Sequence, residues 1–105
     1  MVDARVVSAN APGLATVDAG FKAFATDGGP PPILAGADGA RYAFMGDEHG
    51  AVIGPERTTR LPLDSLVTFA VPHCDPTVNL YDSYHVVRDD TLIDIWPISA
   101  RGRSR

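Results

Sequence analysis

Three consecutive residues, His73, Cys74 and Asp75, bring an imidazole, a thiol and a carboxylate together inside Pro72-His73-Cys74-Asp75-Pro76-Thr77-Val78-Asn79. All three side-chain types ligate metals, so the tripeptide reads as a candidate metal site. A neutral imidazole with a hard carboxylate oxygen suits Mn²⁺ or a similar divalent ion, whereas a set drawing on the Cys74 thiolate tilts toward Zn²⁺. The preceding run Leu66-Val67-Thr68-Phe69-Ala70-Val71 is rich in β-branched and aromatic residues and reads as a largely buried strand. If the backbone stays extended beyond it, His73 and Asp75 share a face and Cys74 points the other way. Two side chains are too few ligands. Water, substrate or another polypeptide must complete the sphere, as at a catalytic site with open positions. The competing reading is an ordinary His73–Asp75 hydrogen-bonded pair with Cys74 as a small buried hydrophobe, because H-x-D is short and recurs by chance.

A second polar cluster, Asp47-Glu48-His49, lies between Gly46 and Gly50. Its side chains can supply an acid–base group or support a nearby metal from behind, and equally can form a polar hairpin tip without a role. Lys22 is the only lysine against eight arginines, so lysine chemistry in this chain must use it. A Cys74 nucleophile served by His73 or His49 is disfavoured, since neighbouring strand residues point apart and no third orienting group is evident.

The elements that must position these residues are short. Arg5-Val6-Val7-Ser8 reads as a strand, Ala11-Pro12-Gly13 as a turn and Leu14-Ala15-Thr16-Val17-Asp18 as the partner strand. A strand that opens without a lead-in is expected of a fragment of a longer protein and equally of a compact natural domain. Gly20 is expected to use a positive φ to bend the chain. Asp27-Gly28-Gly29-Pro30-Pro31-Pro32 cannot propagate helix or strand and is expected to form a surface loop extending to the Gly36-Ala37-Asp38-Gly39 turn. Arg41–Met45 and Ala51–Ile53 flank the acidic loop as strands. Pro55-Glu56-Arg57-Thr58-Thr59-Arg60-Leu61-Pro62-Leu63 should cross the surface. Pro76 fits the first turn of a short helix with Asp75 as a possible cap. Tyr84–Arg88, an Asp89-Asp90 turn and Thr91–Trp96 form a hairpin. Its second strand carries apolar residues on both faces, Leu92 and Trp96 on one and Ile93 and Ile95 on the other, and is expected to be partly covered on both. His85, within that hairpin, is expected to be structural. No helical periodicity or internal repeat appears, and about six short strands joined by Gly/Pro turns predict a mainly β fold, a small barrel or sandwich-like domain.

Size and composition bound the function. With 105 residues, the chain reads as one domain, and 45% hydrophobic with 21% charged residues is the balance of a globular protein. The sequence shows neither a membrane-length apolar run nor a secretory signal, so the expected location is cytoplasmic. One cysteine excludes an internal disulfide. Net charge is −4, and the basic residues cluster only at Arg101-Gly102-Arg103-Ser104-Arg105, which reads as a solvated terminus or a contact to an acidic neighbour. Nucleic acid is not an expected partner.

Four blocks carry a family resemblance: Val17-Asp18-Ala19-Gly20-Phe21-Lys22-Ala23, Gly46-Asp47-Glu48-His49-Gly50, Pro72-His73-Cys74-Asp75-Pro76-Thr77-Val78-Asn79-Leu80-Tyr81-Asp82, and His85-Val86-Val87-Arg88 leading to Asp94-Ile95-Trp96-Pro97-Ile98-Ser99-Ala100-Arg101-Gly102. Together they resemble the C-terminal β domain of the D-threonine aldolase and D-serine dehydratase group. These are fold-type III pyridoxal-phosphate enzymes in which such a domain follows an alanine-racemase-like barrel. The resemblance places a divalent metal, Mn²⁺ or Zn²⁺, on His73 and Asp75, with Cys74 as the alternative. The H-x-D form looks like the aldolase branch and H-x-C like the dehydratase branch. It implies that a whole enzyme cleaves D-3-hydroxy amino acids to glycine and an aldehyde, with pyridoxal phosphate as electron sink and the metal polarising the 3-hydroxyl. It further implies a homodimer. The α/β barrel that carries the Schiff-base lysine lies outside residues 1–105, and Lys22 belongs to a different block. The expected product is therefore a metal-binding domain that needs a barrel partner and is not catalytic alone. The alternatives are a D-serine dehydratase-type domain and a stand-alone β interaction module that has kept the fold without the chemistry. The barrel-dependent aldolase domain predicts an exposed apolar face.

Overall fold

In the computed structural model, which describes residues 1–103, alternation sets the first strand. Ala4 and Val6 are buried while Asp3, Arg5 and Val7 face solvent, the period-two pattern of a half-buried strand. This strand, β1 (Val2–Ala11), is longer at both ends than the hydrophobic run predicts. It is followed by β2 (Leu14–Val17), β3 (Ile33–Ala35), β4 (Arg41–Phe44), β5 (Gly50–Ile53), β6 (Leu66–Phe69), the short helix α1 (Cys74–Val78), β7 (Ser83–Arg88) and β8 (Thr91–Pro97). The fold is mainly β, as expected.

Six strands form one sheet in the order β3-β6-β1-β2-β5-β4. The first half of β1 pairs antiparallel with β6, and the second half pairs with β2. Register shifts between Val6 and Ser8 and between Ser8 and Ala11 mark the changeover. Such irregularities bend a strand and increase its twist, so the sheet curls into an open half-barrel rather than two stacked sheets. Gly13 turns β1 into β2 with φ of +69°.

The concave face is filled by an aromatic cluster. Phe24 and Phe69 are fully buried and both pack edge-on against Tyr42, with ring centroids 5.6 and 5.3 Å away. The Tyr42 hydroxyl donates to the Ala19 carbonyl at 2.7 Å, and burial pushes its pKa up to about 12. Ala4, Val6, Val17, Val52 and Val67 complete the core.

Several local expectations are corrected. Gly20 does not use a positive φ; it is a glycine because the loop at residues 46–49 lies where its Cβ would be. The Gly/Pro loop is interrupted by β3, which pairs with β6. The strand expected to reach Val71 stops at Phe69. The largest departure is β8, whose seven residues are all exposed although cover on both faces was expected. β7 and β8 pair only with each other, through a turn in which Asp89 and Asp90 both take positive φ (46° and 63°), as a type I′ hairpin requires. An exposed apolar face is therefore present, as the domain-plus-partner reading predicts.

Candidate functional site

The chain leaves β6 at Phe69 and turns into α1, which begins at Cys74. His73 occupies the N-cap position with extended φ and ψ of −140° and 116°, without a side-chain capping bond. Asp75 is an acidic residue of the first turn, not the cap. The extended-strand argument that aimed His73 and Asp75 one way and Cys74 the other therefore does not apply. Helix formation intervenes because Asp75-Pro76 is well suited to a first turn: Pro76 needs no donor there, and Asp75 meets the positive end of the short helix. All three side chains are exposed, so Cys74 is not the buried hydrophobe of the competing reading.

His73 does form a hydrogen-bonded pair, but with a residue that spacing did not single out. Its Nδ1 lies 2.5 Å from Oδ2 of Asp27, and this bond holds the Asp27 carboxyl below its usual range. Asp27 comes from the loop after the 20–26 segment, 46 residues away in sequence. Two contacts bring that loop to His73. Thr77, the only buried polar side chain among the described residues, donates its hydroxyl to the His73 carbonyl at 2.7 Å and accepts the Ala25 N–H at 3.1 Å. Gly28 lies against Pro72, where an added Cβ would come within 3.0–3.1 Å of it. An open apolar groove between this segment and α1 is lined by Phe21, Phe24, Ala25, Asp27, Pro76 and Leu80.

The acidic loop meets the other end of the same segment. Phe21 and Lys22 donate their backbone N–H groups to the Gly46 and Asp47 carbonyls at 2.9 and 3.0 Å. The Lys22 ammonium pairs with Glu48. That bond raises the Lys22 pKa and lowers that of Glu48. Asp47 and Glu48 line a second groove with Asp3, Asp18, Lys22 and Tyr81. His49 is exposed, and its carbonyl accepts from Met45 at 3.1 Å. His85 is exposed on β7. Among the described residues, no three His, Cys, Asp or Glu side chains gather as a metal cluster, so the acidic loop does not join His73 and Asp75 in one set. Of the basic tail, read as a solvated terminus or a contact to an acidic neighbour, Arg101 pairs with Asp82 at 3.0 Å; Ser104 and Arg105 lie outside the described residues.

A family model described as a putative serine dehydratase domain matches residues 1–87. The chain belongs to that family. It is 42% identical to a D-threonine aldolase of an Arthrobacter species, over 97% of this chain and 27% of the relative. Identity to the 3-hydroxy-D-aspartate aldolase of Paracoccus denitrificans is 40%, over 93% of this chain and 24% of that protein. The crystal structure of D-threonine aldolase from Filomicrobium marinum matches 97% of this chain and 28% of its own, with a TM-score of 0.88 and 36% identity. The chain thus spans about a quarter of the length of the relatives it matches. The family resemblance carried by the four sequence blocks is borne out.

Asp27 and Thr77 are the residues that sequence reasoning missed. Asp27 sits in an Asp-Gly-Gly turn, where aspartate is ordinary, and nothing in its spacing points to residue 73. Thr77 was legible only as part of the Pro72–Asp82 block; its double hydrogen bond depends on the tertiary approach of Ala25.

Proposed function

We propose that this chain is the metal-binding β domain of a pyridoxal-phosphate-dependent lyase that cleaves D-3-hydroxy amino acids to glycine and an aldehyde, working with an α/β barrel that carries the cofactor lysine. The observation that carries this reading is the match of nearly the whole chain, at 40–42% identity, to two aldolases whose names share a D-configured, 3-hydroxylated amino acid.

The residues fit a divalent ion. His73 and Asp75 offer an exposed imidazole and carboxylate at the start of α1, a nitrogen–oxygen pair suited to Mn²⁺ and acceptable to Zn²⁺. Cys74, also exposed, is the softer alternative. Two protein donors leave most positions for water, substrate or the barrel. When bound, pyridoxal phosphate supplies the electron sink for carbon–carbon cleavage and the metal a Lewis acid for the 3-hydroxyl. His73 and Asp75 then orient the hydroxyl-bearing end of the substrate. Glu48 is engaged by Lys22, which leaves Asp47 and His49 as the acid–base candidates. The exposed apolar hairpin β7–β8 is the surface we assign to the barrel, in a homodimeric whole enzyme. A dehydratase of the same family is the second reading, favoured by the description of the family model.

Titration calorimetry with Mn²⁺ and Zn²⁺ on the chain, with and without a separately produced aldolase barrel, tests the proposal. Binding that disappears in both His73→Ala and Asp75→Ala is the expected result. Binding that survives in both variants, or is absent under every condition, would sink it in favour of an interaction module.

A further inference from the structure

The hydrogen bond between His73 and Asp27 has a chemical consequence for the imidazole. A carboxylate oxygen can only accept, so the proton in this bond belongs to Nδ1, and the neutral ring is held with Nε2 unprotonated. A nitrogen that bears a proton cannot ligate a metal; one that lacks it can. Metal-bound histidines commonly donate their other ring N–H to a carboxylate in this way, which sets the tautomer, the ring orientation and the basicity of the ligand.

An exposed Asp–His contact on two independent loops would be loosely held, but these two backbones are joined. Thr77 links the His73 carbonyl to the Ala25 N–H through one buried hydroxyl, two residues before Asp27. On the other side, the missing side chain of Gly28 lets the backbone next to Asp27 settle against Pro72, the residue before His73. Both backbones are therefore fixed by contacts other than the His73–Asp27 hydrogen bond itself.

We infer that Asp27 is the positioning residue of the metal site: it accepts the Nδ1–H of His73, selects the tautomer with Nε2 available, and aims that nitrogen as the ligand. This rests on the metal reading proposed above. It assigns Asp27 to neither substrate nor metal; the carboxylate acts through the imidazole.

Two measurements test it, neither depending on the activity of an assembled enzyme. The first is ¹⁵N–¹H correlation of the histidine rings in the metal-free chain above neutral pH. His73 is expected in the Nδ1–H form, shifting toward Nε2–H in Asp27→Ala and staying largely Nδ1–H in Asp27→Asn, whose amide oxygen still accepts. The second is Mn²⁺ titration of the same proteins, with the aldolase barrel present. Asp27→Ala should weaken binding about 10- to 100-fold, with Asp27→Asn in between. A wild-type ring in the Nε2–H form, or equal Mn²⁺ affinity in wild type and Asp27→Ala, overturns the role while leaving the His73–Asp75 site standing. Loss of binding in Asp27→Ala as complete as in His73→Ala also overturns it, by making Asp27 a ligand. Absence of Mn²⁺ binding in the wild type, with the tautomer as expected, removes the metal reading itself and this role with it.

Discussion

Val67 and Phe69 in β6 are fully buried, whereas Ile95 and Trp96 in β8 each keep 54% of their surface in solvent. The residue types are alike; the surroundings differ. β6 has β1 on one side and β3 on the other, and Phe69 packs edge-on against Phe24 and Tyr42. β8 has only β7, and both faces of that two-stranded ribbon are open. A lone hairpin is marginal in water, and clustered exposed apolar side chains mark a surface meant for contact. The curled sheet therefore closes its own core, while the hairpin has apolar surface that this chain cannot cover. The relatives are roughly four times as long, which leaves room for the barrel proposed above as the cover.

Substitutions should separate the two regions. Phe69→Ala removes a buried ring from the aromatic cluster and is expected to lower the unfolding free energy by about 3–5 kcal/mol, read from the urea midpoint. The double change Ile95→Ser with Trp96→Ser should leave the stability of the isolated chain within about 0.5 kcal/mol, because neither side chain has a packed neighbour layer to lose. The same variant should lose association with the barrel in sedimentation. A destabilisation comparable to that of Phe69→Ala would show that the hairpin belongs to the core and would end the contrast.

The smallest effect concerns the acidic loop, which sits beside the core without entering it. Glu48 has its pKa lowered by Lys22, so its contribution is complete above the ordinary carboxylate range and disappears as pH falls through the depressed value. Lys22 has its pKa raised, so its contribution is complete below the ordinary lysine range and is lost as pH rises through the elevated value. Both groups are exposed, and the pair should matter little at moderate salt. Melting temperatures of wild type and Glu48→Gln should differ slightly near neutrality at low salt and converge in acid and in strong alkali. A large difference that persists in high salt would mean that the 46–49 loop is held mainly by this pair rather than by its backbone bonds to Phe21 and Lys22.

Local chemistry made much of this molecule legible before any fold was known. The β-branched runs, the Gly/Pro turns and the Asp89-Asp90 hairpin follow from backbone preferences that act over a few residues, and so does the short helix at Pro76. The candidate ligands His73 and Asp75 were visible because they are neighbours in the chain. What the tertiary structure alone decided were relations between distant segments: that β1 serves two partners and curls the sheet, that Gly20 is small to admit the 46–49 loop, that β8 stays uncovered, and that His73 meets Asp27 across 46 residues. Turn propensity places Asp27 in its loop; only the packing of Thr77 and Gly28 brings that loop to His73. The physical reason is range: backbone preferences are encoded within a few residues, whereas a hydrogen bond between loops depends on every packing contact that carries the two backbones together.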